Sequence, residues 1–308
     1  MPLELVPDEF GTVMELFRCP NGRLVAPDLN PDTVYNMRNI PLRDDDIMLC
    51  SYAKSGCHWL WDVLRYLRFG VADDLDKVDK ETHMVEYNSL ETLEQLQSPR
   101  ILNNHGFFED QPTDLFNKKV KVVFVYRNIK DLAVSYYHHH TRFPEYKYQD
   151  TFTHYIRRFV AGLVDNGSVF EYLRGWEEGI HNTPGLNIHV VSYEDMKELL
   201  RLGKIFLGPN TALVFPKGPS PRAQNRFWPN VKKKKKRATM YLDHEGKPVM
   251  YGKEKLLPYC RSVGERRNHF TVAATIGWTP SLKKKMGNPK FFKFLKIQYN
   301  LFLFSKNF

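Results

Sequence analysis

The sequence predicts a single α/β domain with a mainly parallel central sheet flanked by helices. Three observations carry that prediction. Short β-rich runs alternate with runs of helical period, the pattern of strands joined by helical crossovers. One such strand passes through a glycine turn directly into a helix, as a P-loop does. The length of 308 residues, with 42% apolar and 26% charged, is ordinary for a globular chain and enough to bury a sizeable core.

Ile47 to Tyr52 reads as a buried strand, preceded by a solvated turn at Asp44, Asp45 and Asp46. Leu60, Val63, Leu64 and Leu67 recur at helical spacing until Gly70 stops the pattern. A weaker strand at Arg100, Ile101 and Leu102 runs into Asn103, Asn104, His105 and Gly106. Val120 to Tyr126 is the strongest strand, followed by a helix led by Asp131. Phe152, Ile156, Phe159, Val160 and Leu163 mark a further amphipathic helix, ending at Asp165, Asn166 and Gly167. Asn187 to Ser192 is the next strand. In such a sheet the ligand sits beyond the carboxyl ends of the strands, where the post-strand loops converge.

Two stretches stand apart. Gly208 to Asn230 holds five prolines with little periodicity and leads into the lysine run of 232–237. The segment 274–308 mixes aromatics and lysines without helix or strand logic. The domain is therefore expected over 1–273, with 208–237 an atypical segment and 274–308 a basic, aromatic tail. A surface peculiar to this lineage, or translated non-coding sequence, would give such a composition.

The formal charge of +10 invites a nucleic-acid partner, but its distribution argues otherwise. Lys232 to Arg237 and the tail hold 13 of the 45 basic residues, and the other 32 face 35 acids. A slightly acidic body is not built for a phosphate backbone. No apolar run reaches the 18 residues of a membrane span, and the first ten residues carry acids and proline where a signal peptide would start basic. Four cysteines without paired spacing point to a reducing, cytoplasmic setting.

After the first strand comes Tyr52-Ala53-Lys54-Ser55-Gly56-Cys57-His58-Trp59, opening into a helix. A tight turn at a helix N-terminus aims several N–H groups and roughly half a positive charge at one point. Lys54 adds a full charge and Ser55 a hydroxyl. The leading glycine of the Walker pattern is absent, and no Mg²⁺ carboxylate follows the second strand, which disfavours a nucleotide kinase. The alternative reading is a surface turn with an exposed lysine. Arg127, at the end of the strongest strand, and Ser135, two helical turns on, could hold a second phosphate. The alternative there makes Asp131 a helix cap and Arg127 its ion-pair partner. His138, His139 and His140 lie about 100° apart around a helix, cannot chelate one metal together, and read as solvated. No metal site is expected.

These segments resemble the cytosolic sulfotransferase family. Y-A-K-S-G-C-H-W-L-W is similar to its Y-P-K-S-G-T-T/H-W loop, and R-N-I-K-D-L-A-V-S-Y-Y-H to its R-N-P-K-D-x-A-V-S-x-Y-H segment. Y-E-D-M-K at 193–197 and R-N-H-F-T at 267–271 match two further family segments in order and spacing. The resemblance implies transfer of a sulfuryl group from 3′-phosphoadenosine 5′-phosphosulfate (PAPS) to a hydroxyl or amine of a small acceptor, without a metal. On that analogy Lys54, Ser55, Gly56, Cys57 and His58 cradle the phosphosulfate. Trp59 and Tyr193 flank the adenine, and Arg127 and Ser135 hold the 3′-phosphate. His105 acts as general base, its ordinary pKa suiting the task, and Lys54 offsets charge on the leaving oxygen.

The sequence departs from the family at four places. Asn103 stands where the family has a catalytic lysine; losing one such stabiliser costs about 10²–10³ in rate. Cys57 replaces a threonine. The family's R-K-G closing clamp reads Tyr259-Cys260-Arg261, leaving Arg261 as the one substitute. The dimer motif keeps Arg267, Thr271 and Val272 but ends in Ile276 rather than glutamate, so a homodimer by that route is incomplete. A degenerate relative that binds PAPS with little or no turnover is the second reading. The acceptor pocket is expected around Phe17, 142–148 and the 230s to 250s.

Overall fold

A computed structural model of the chain describes residues 1–69 and 80–201, together with two short strands at 240–242 and 248–250. The chain opens with β1 (Leu3–Pro7), β2 (Val13–Arg18) and β3 (Leu24–Val25), an antiparallel sheet in the order β1-β2-β3. Helix α1 (Pro31–Tyr35) precedes β4 (Ile47–Ser51) and α2 (Cys57–Phe69). Then come a 3₁₀ turn at Lys80–His83, α3 (Leu90–Gln95), β5 (Ile101–Asn104) and α4 (Asp114–Asn117). β6 (Lys121–Tyr126), α5 (Ile129–His140), α6 (Phe152–Ala161), α7 (Val169–Asn182), β7 (Ile188–Ser192) and α8 (Tyr193–Arg201) follow. β8 (Met240–Leu242) and β9 (Pro248–Met250) form an antiparallel pair.

The parallel sheet is ordered β5-β4-β6-β7, with Ile47 opposite both Ile101 and Lys121, and Val122 opposite Ile188. Its two faces are sorted by the two-residue period of the strands. Met48, Cys50, Leu102, Val122 and Phe124 face one core, shared with Leu132, Tyr136, Phe159 and Trp176 of α5, α6 and α7 and with the N-terminal sheet. Ile47, Leu49, Ile101, Val123 and Val125 face a second core closed by Leu60, Trp61 and Leu64 of α2 and Met196 of α8. Strands covered on both faces read as continuous apolar runs, which is why β4 and β6 are the clearest strands in the sequence.

The structure corrects several local readings. Asp46 is not solvated: its carboxylate is buried and takes the Arg100 guanidinium, with Arg100 Nε at 2.9 Å from Oδ1. A buried arginine fork can hold a buried carboxylate because each lone pair is met. Helix α5 is led by Asn128, whose side chain accepts from the N–H groups of Lys130 (3.1 Å) and Asp131 (3.4 Å); Asp131 lies inside the first turn. α6 stops at Ala161 because Gly162 adopts φ +80° and caps it, short of residues 165–167. The histidine triplet is not a solvated face either. His140 is buried, its ring nitrogens 2.8 Å from the Tyr155 hydroxyl and 2.6 Å from Asp165 Oδ1.

The β1–β2 hairpin and α7 carry no sequence expectation. Arg158, buried on α6, ties the hairpin to the body: it donates to the carbonyls of Val6 and Leu163 at 3.0 Å and to the Asp8 carboxylate at 3.2 Å. Among the described residues no helix is long and apolar enough to cross a membrane.

Candidate active site

The carboxyl ends of β4, β5 and β6 bring three loops together. After β4 the chain turns sharply: Ser55 N–H donates to the Tyr52 carbonyl at 3.2 Å, and Leu60 N–H to Gly56 at 3.1 Å, so α2 starts immediately. Lys54 holds φ +66° and Gly56 φ +103°. A β-carbon on Gly56 would lie 2.4 Å from the Tyr193 ring, so only glycine fits this corner. The Ser55 hydroxyl is buried and meets no hydrogen-bond partner among the described residues. A buried hydroxyl left open beside a helix N-terminus fits an anion that would complete it.

Arg127, at the end of β6, closes the turn from the other side. Its Nη1 donates to the Lys54 carbonyl at 3.0 Å, and its guanidinium lies 4.6 Å over the Tyr193 ring. Asn128, not Arg127 with Asp131, caps α5. Ser135 is buried on that helix. Tyr193 heads α8, edge-on to Trp59 at 5.8 Å, and Lys197 Nζ lies 4.6 Å over the Trp59 ring. The structure thus gathers Ser55, Gly56, Trp59, Arg127 and Tyr193 around one turn. His58 is turned outward: its side chain is mostly exposed and its Nε2 lies 2.6 Å from Glu81, so its offering to the turn is backbone. The Cys57 thiol is buried, 3.9 Å from Asn103 Oδ1, and burial pushes its pKa up. Arg261, the closing clamp at 259–271 and the dimer motif lie outside the described residues.

His105 sits just past β5. Its Nδ1 is 2.8 Å from the Ser51 carbonyl, an acceptor only, so Nδ1 carries the proton and Nε2 keeps its lone pair. Burial first, and Lys80 second, push the imidazole down to about 3. The ring is neutral at physiological pH with its Nε2 lone pair open, but it is a weaker base than the ordinary imidazole the sequence leads one to expect, because burial disfavours the charged form. An anion arriving in the turn opposes this depression.

His105 and Glu86 open onto a cavity walled by Leu24, Val25, Leu29, Val34, Met37 and Phe107, with Arg23 and Asp110 at its edge. Phe17 and the 142–148 stretch, where the acceptor pocket is expected, do not line this cavity, and Phe17, Tyr146 and Tyr148 are buried in the core. The expected contribution of the 230s to 250s lies outside the described residues, apart from β8 and β9.

Two residues with no motif to announce them belong to this site. Glu86 is buried; its Oε1 accepts the His105 backbone N–H, its Oε2 has no hydrogen-bond partner among the described residues, and burial pushes its carboxyl up to about 7. Lys80 Nζ lies 2.9 Å from Asn103 Oδ1. Asn103 is therefore committed to Lys80. No spacing rule could link residues 80 and 86 to the end of β5, because the contact is made by the 3₁₀ turns that fold back over that strand.

Residues 44–203 match the family model described as Sulfotransferase domain. Sulfotransferase 6B1 of Danio rerio is 31% identical over 176 residues, covering 56% of this chain and 58% of that protein. Sulfotransferase 4A1 of Homo sapiens is 34% identical over 164 residues, covering 51% and 56%. The chain spans about half the length of the curated relatives it matches. The crystal structure of mouse sulfotransferase SULT7A1 complexed with PAP superposes with a TM-score of 0.69 at 22% identity, over 92% of this chain and 99% of that one. Retinol dehydratase in complex with androsterone and inactive cofactor PAP gives 0.62 at 18% identity, over 94% and 97%. These two share the fold.

Proposed function

We propose, since the chain belongs to the sulfotransferase family, that it transfers a sulfuryl group from PAPS to a hydroxyl, or an amine, of a small acceptor. One observation supports this most: a buried, open Ser55 hydroxyl at the N-terminus of α2 and a neutral His105 with its Nε2 lone pair available share one end of the sheet. PAPS, when bound, supplies the sulfuryl group and a phosphate leaving group.

The residues present fit that donor. Ser55 Oγ, the Lys54 ammonium and the backbone N–H groups of Gly56, Cys57 and His58 would hold its 5′ end. Arg127 and Ser135 would take the 3′-phosphate, with Arg261 as a further candidate, and Trp59 and Tyr193 would flank the adenine. His105 accepts the acceptor's proton at Nε2, its orientation held by Ser51 and by Glu86 through the backbone. Lys54 offsets negative charge in the turn. The apolar lining of the cavity supports an apolar acceptor, such as a phenol or a steroid alcohol. Cys19, Cys50 and Cys57 are free and buried, which supports a reducing, cytoplasmic setting.

The test is calorimetry and thermal shift with 3′-phosphoadenosine 5′-phosphate (PAP), followed by transfer from PAPS to a panel of phenols, steroids and aliphatic alcohols. Binding at a hundredfold excess over Kd raises stability by about 2.7 kcal/mol. Binding with transfer sustains the proposal. Binding without transfer points to a donor-binding relative, and a folded protein that ignores PAP overturns the reading.

A further inference from the structure

Resting on that reading of the site, we propose that Lys80 is a positioning residue for the transfer: its buried ammonium, seated on Asn103, fixes a positive charge behind the phosphate-binding turn and beside His105. The Lys80 side chain is only 3% exposed. Burying an ammonium is costly unless its donors are met and its charge is opposed. Here its donors meet mainly neutral groups, Asn103 Oδ1 at 2.9 Å and Met84 Sδ at 3.3 Å. The carboxylate of Glu81 lies farther, at 3.8 Å, and is itself engaged by His58 at 2.6 Å. The cation is held in place but only partly neutralised, so its field is free to act on the site.

Its placement is over-determined. Asn103 Nδ2 donates back to the Lys80 carbonyl at 3.1 Å, so residue 103 grips Lys80 at both ends. The Cys57 thiol points at the same Asn103 oxygen from 3.9 Å, which puts the ammonium one side chain from the first residue of α2. Asn103 bears no charge, yet it delivers one to the end of β5 from a segment 23 residues earlier. A preorganised cation at that point favours negative charge in the turn and disfavours a protonated His105. The depressed pKa of His105, in which Lys80 is the largest influence after burial, agrees with this. The other groups acting on that imidazole are Ser51, His58 and Asp165, with Glu86 on its backbone N–H.

The experiment uses the full chain with Lys80→Met, Lys80→Gln and Lys80→Arg. His105 is titrated by NMR in the ligand-free protein, PAP affinity is measured by calorimetry, and kcat and KM are measured separately. Gln keeps a hydrogen bond to Asn103 without the charge, so it guards against a Met variant that folds poorly. The expected result is a raised His105 titration midpoint in Met and Gln, but not in Arg. In these two variants kcat falls about 10²-fold while acceptor KM holds, and Arg recovers much of the rate. A His105 midpoint that stays fixed in Met and Gln overturns the proposal, as does an unchanged kcat. If wild type binds no PAP and transfers nothing, the reading of the site fails, and the ligand-free titration still decides whether the Lys80 charge acts on His105.

Discussion

The turn from Tyr52 to Gly56 takes its shape from hydrogen bonds spanning three or four residues and from Gly56 at φ +103°, and Arg127 and Tyr193 only close over it from elsewhere in the chain. His105, at the same end of the sheet, takes its tautomer from Ser51, 54 residues away, and its backbone anchor from Glu86, 19 residues away. The first region is a local motif and the second a tertiary assembly. The difference teaches where each is vulnerable. The turn fails when its covalent geometry is disturbed, whereas the His105 side can be disabled by changing residues that no motif marks.

The largest expected break is His105→Ala. It should lower transfer by about 10²–10⁴ while PAP affinity stays within a few-fold, because a proton acceptor is lost and the turn is untouched. Steady-state rates beside calorimetry check this, and equal turnover would remove His105 from the reaction. Arg127→Met should act the opposite way. Loss of the guanidinium fork and of its bond to Lys54 weakens PAP binding about 10²-fold, with a smaller effect on kcat once the site is saturated. Gly56→Ala places a β-carbon 2.4 Å from the Tyr193 ring at φ +103°. Overpacking plus left-handed strain should cost about 2–4 kcal/mol, read as a lowered denaturation midpoint together with weakened PAP binding.

A pH profile sharpens the comparison further. Glu86 is raised to about 7 in the folded protein, so the folded state binds the extra proton. Its contribution to stability is then fully present at low pH and is lost as pH rises from the ordinary carboxylate range to about 7. His105 is lowered to about 3, so the unfolded state binds the proton, and stability rises with pH from about 3 to the ordinary imidazole range. The two slopes oppose each other where they overlap. Glu86→Gln should leave the rise alone and His105→Ala the fall alone, in chemical denaturation followed across that range. The smallest effect expected is Asn128→Ala, the loss of one helix cap, at about 1 kcal/mol in the same assay.

The corrected expectations share a cause. Asp46 and His140 read as solvated because three acids or three histidines in a row usually are, yet each has one member buried on a long-range partner, Arg100 or Asp165. Asp131 read as the helix leader because Asp is a good cap, but Asn128 stands at the turn where the chain leaves β6. Capping is decided by where the strand ends, not by residue type alone.

By itself the sequence determined the parallel sheet, the glycine turn at the start of α2 and the placing of Lys54, Ser55, Gly56, Arg127 and His105 in post-strand loops. Those features are written in short-range periodicity and in a glycine turn, where neighbours in sequence are neighbours in space. Only the tertiary structure decided that Lys80 rests on Asn103, that Glu86 holds the His105 backbone, and that the cavity wall is drawn from β3, α1 and the residues beside them together with Phe107. Those contacts join residues whose separation follows no period. Packing, rather than local chemistry, fixes the distances between them.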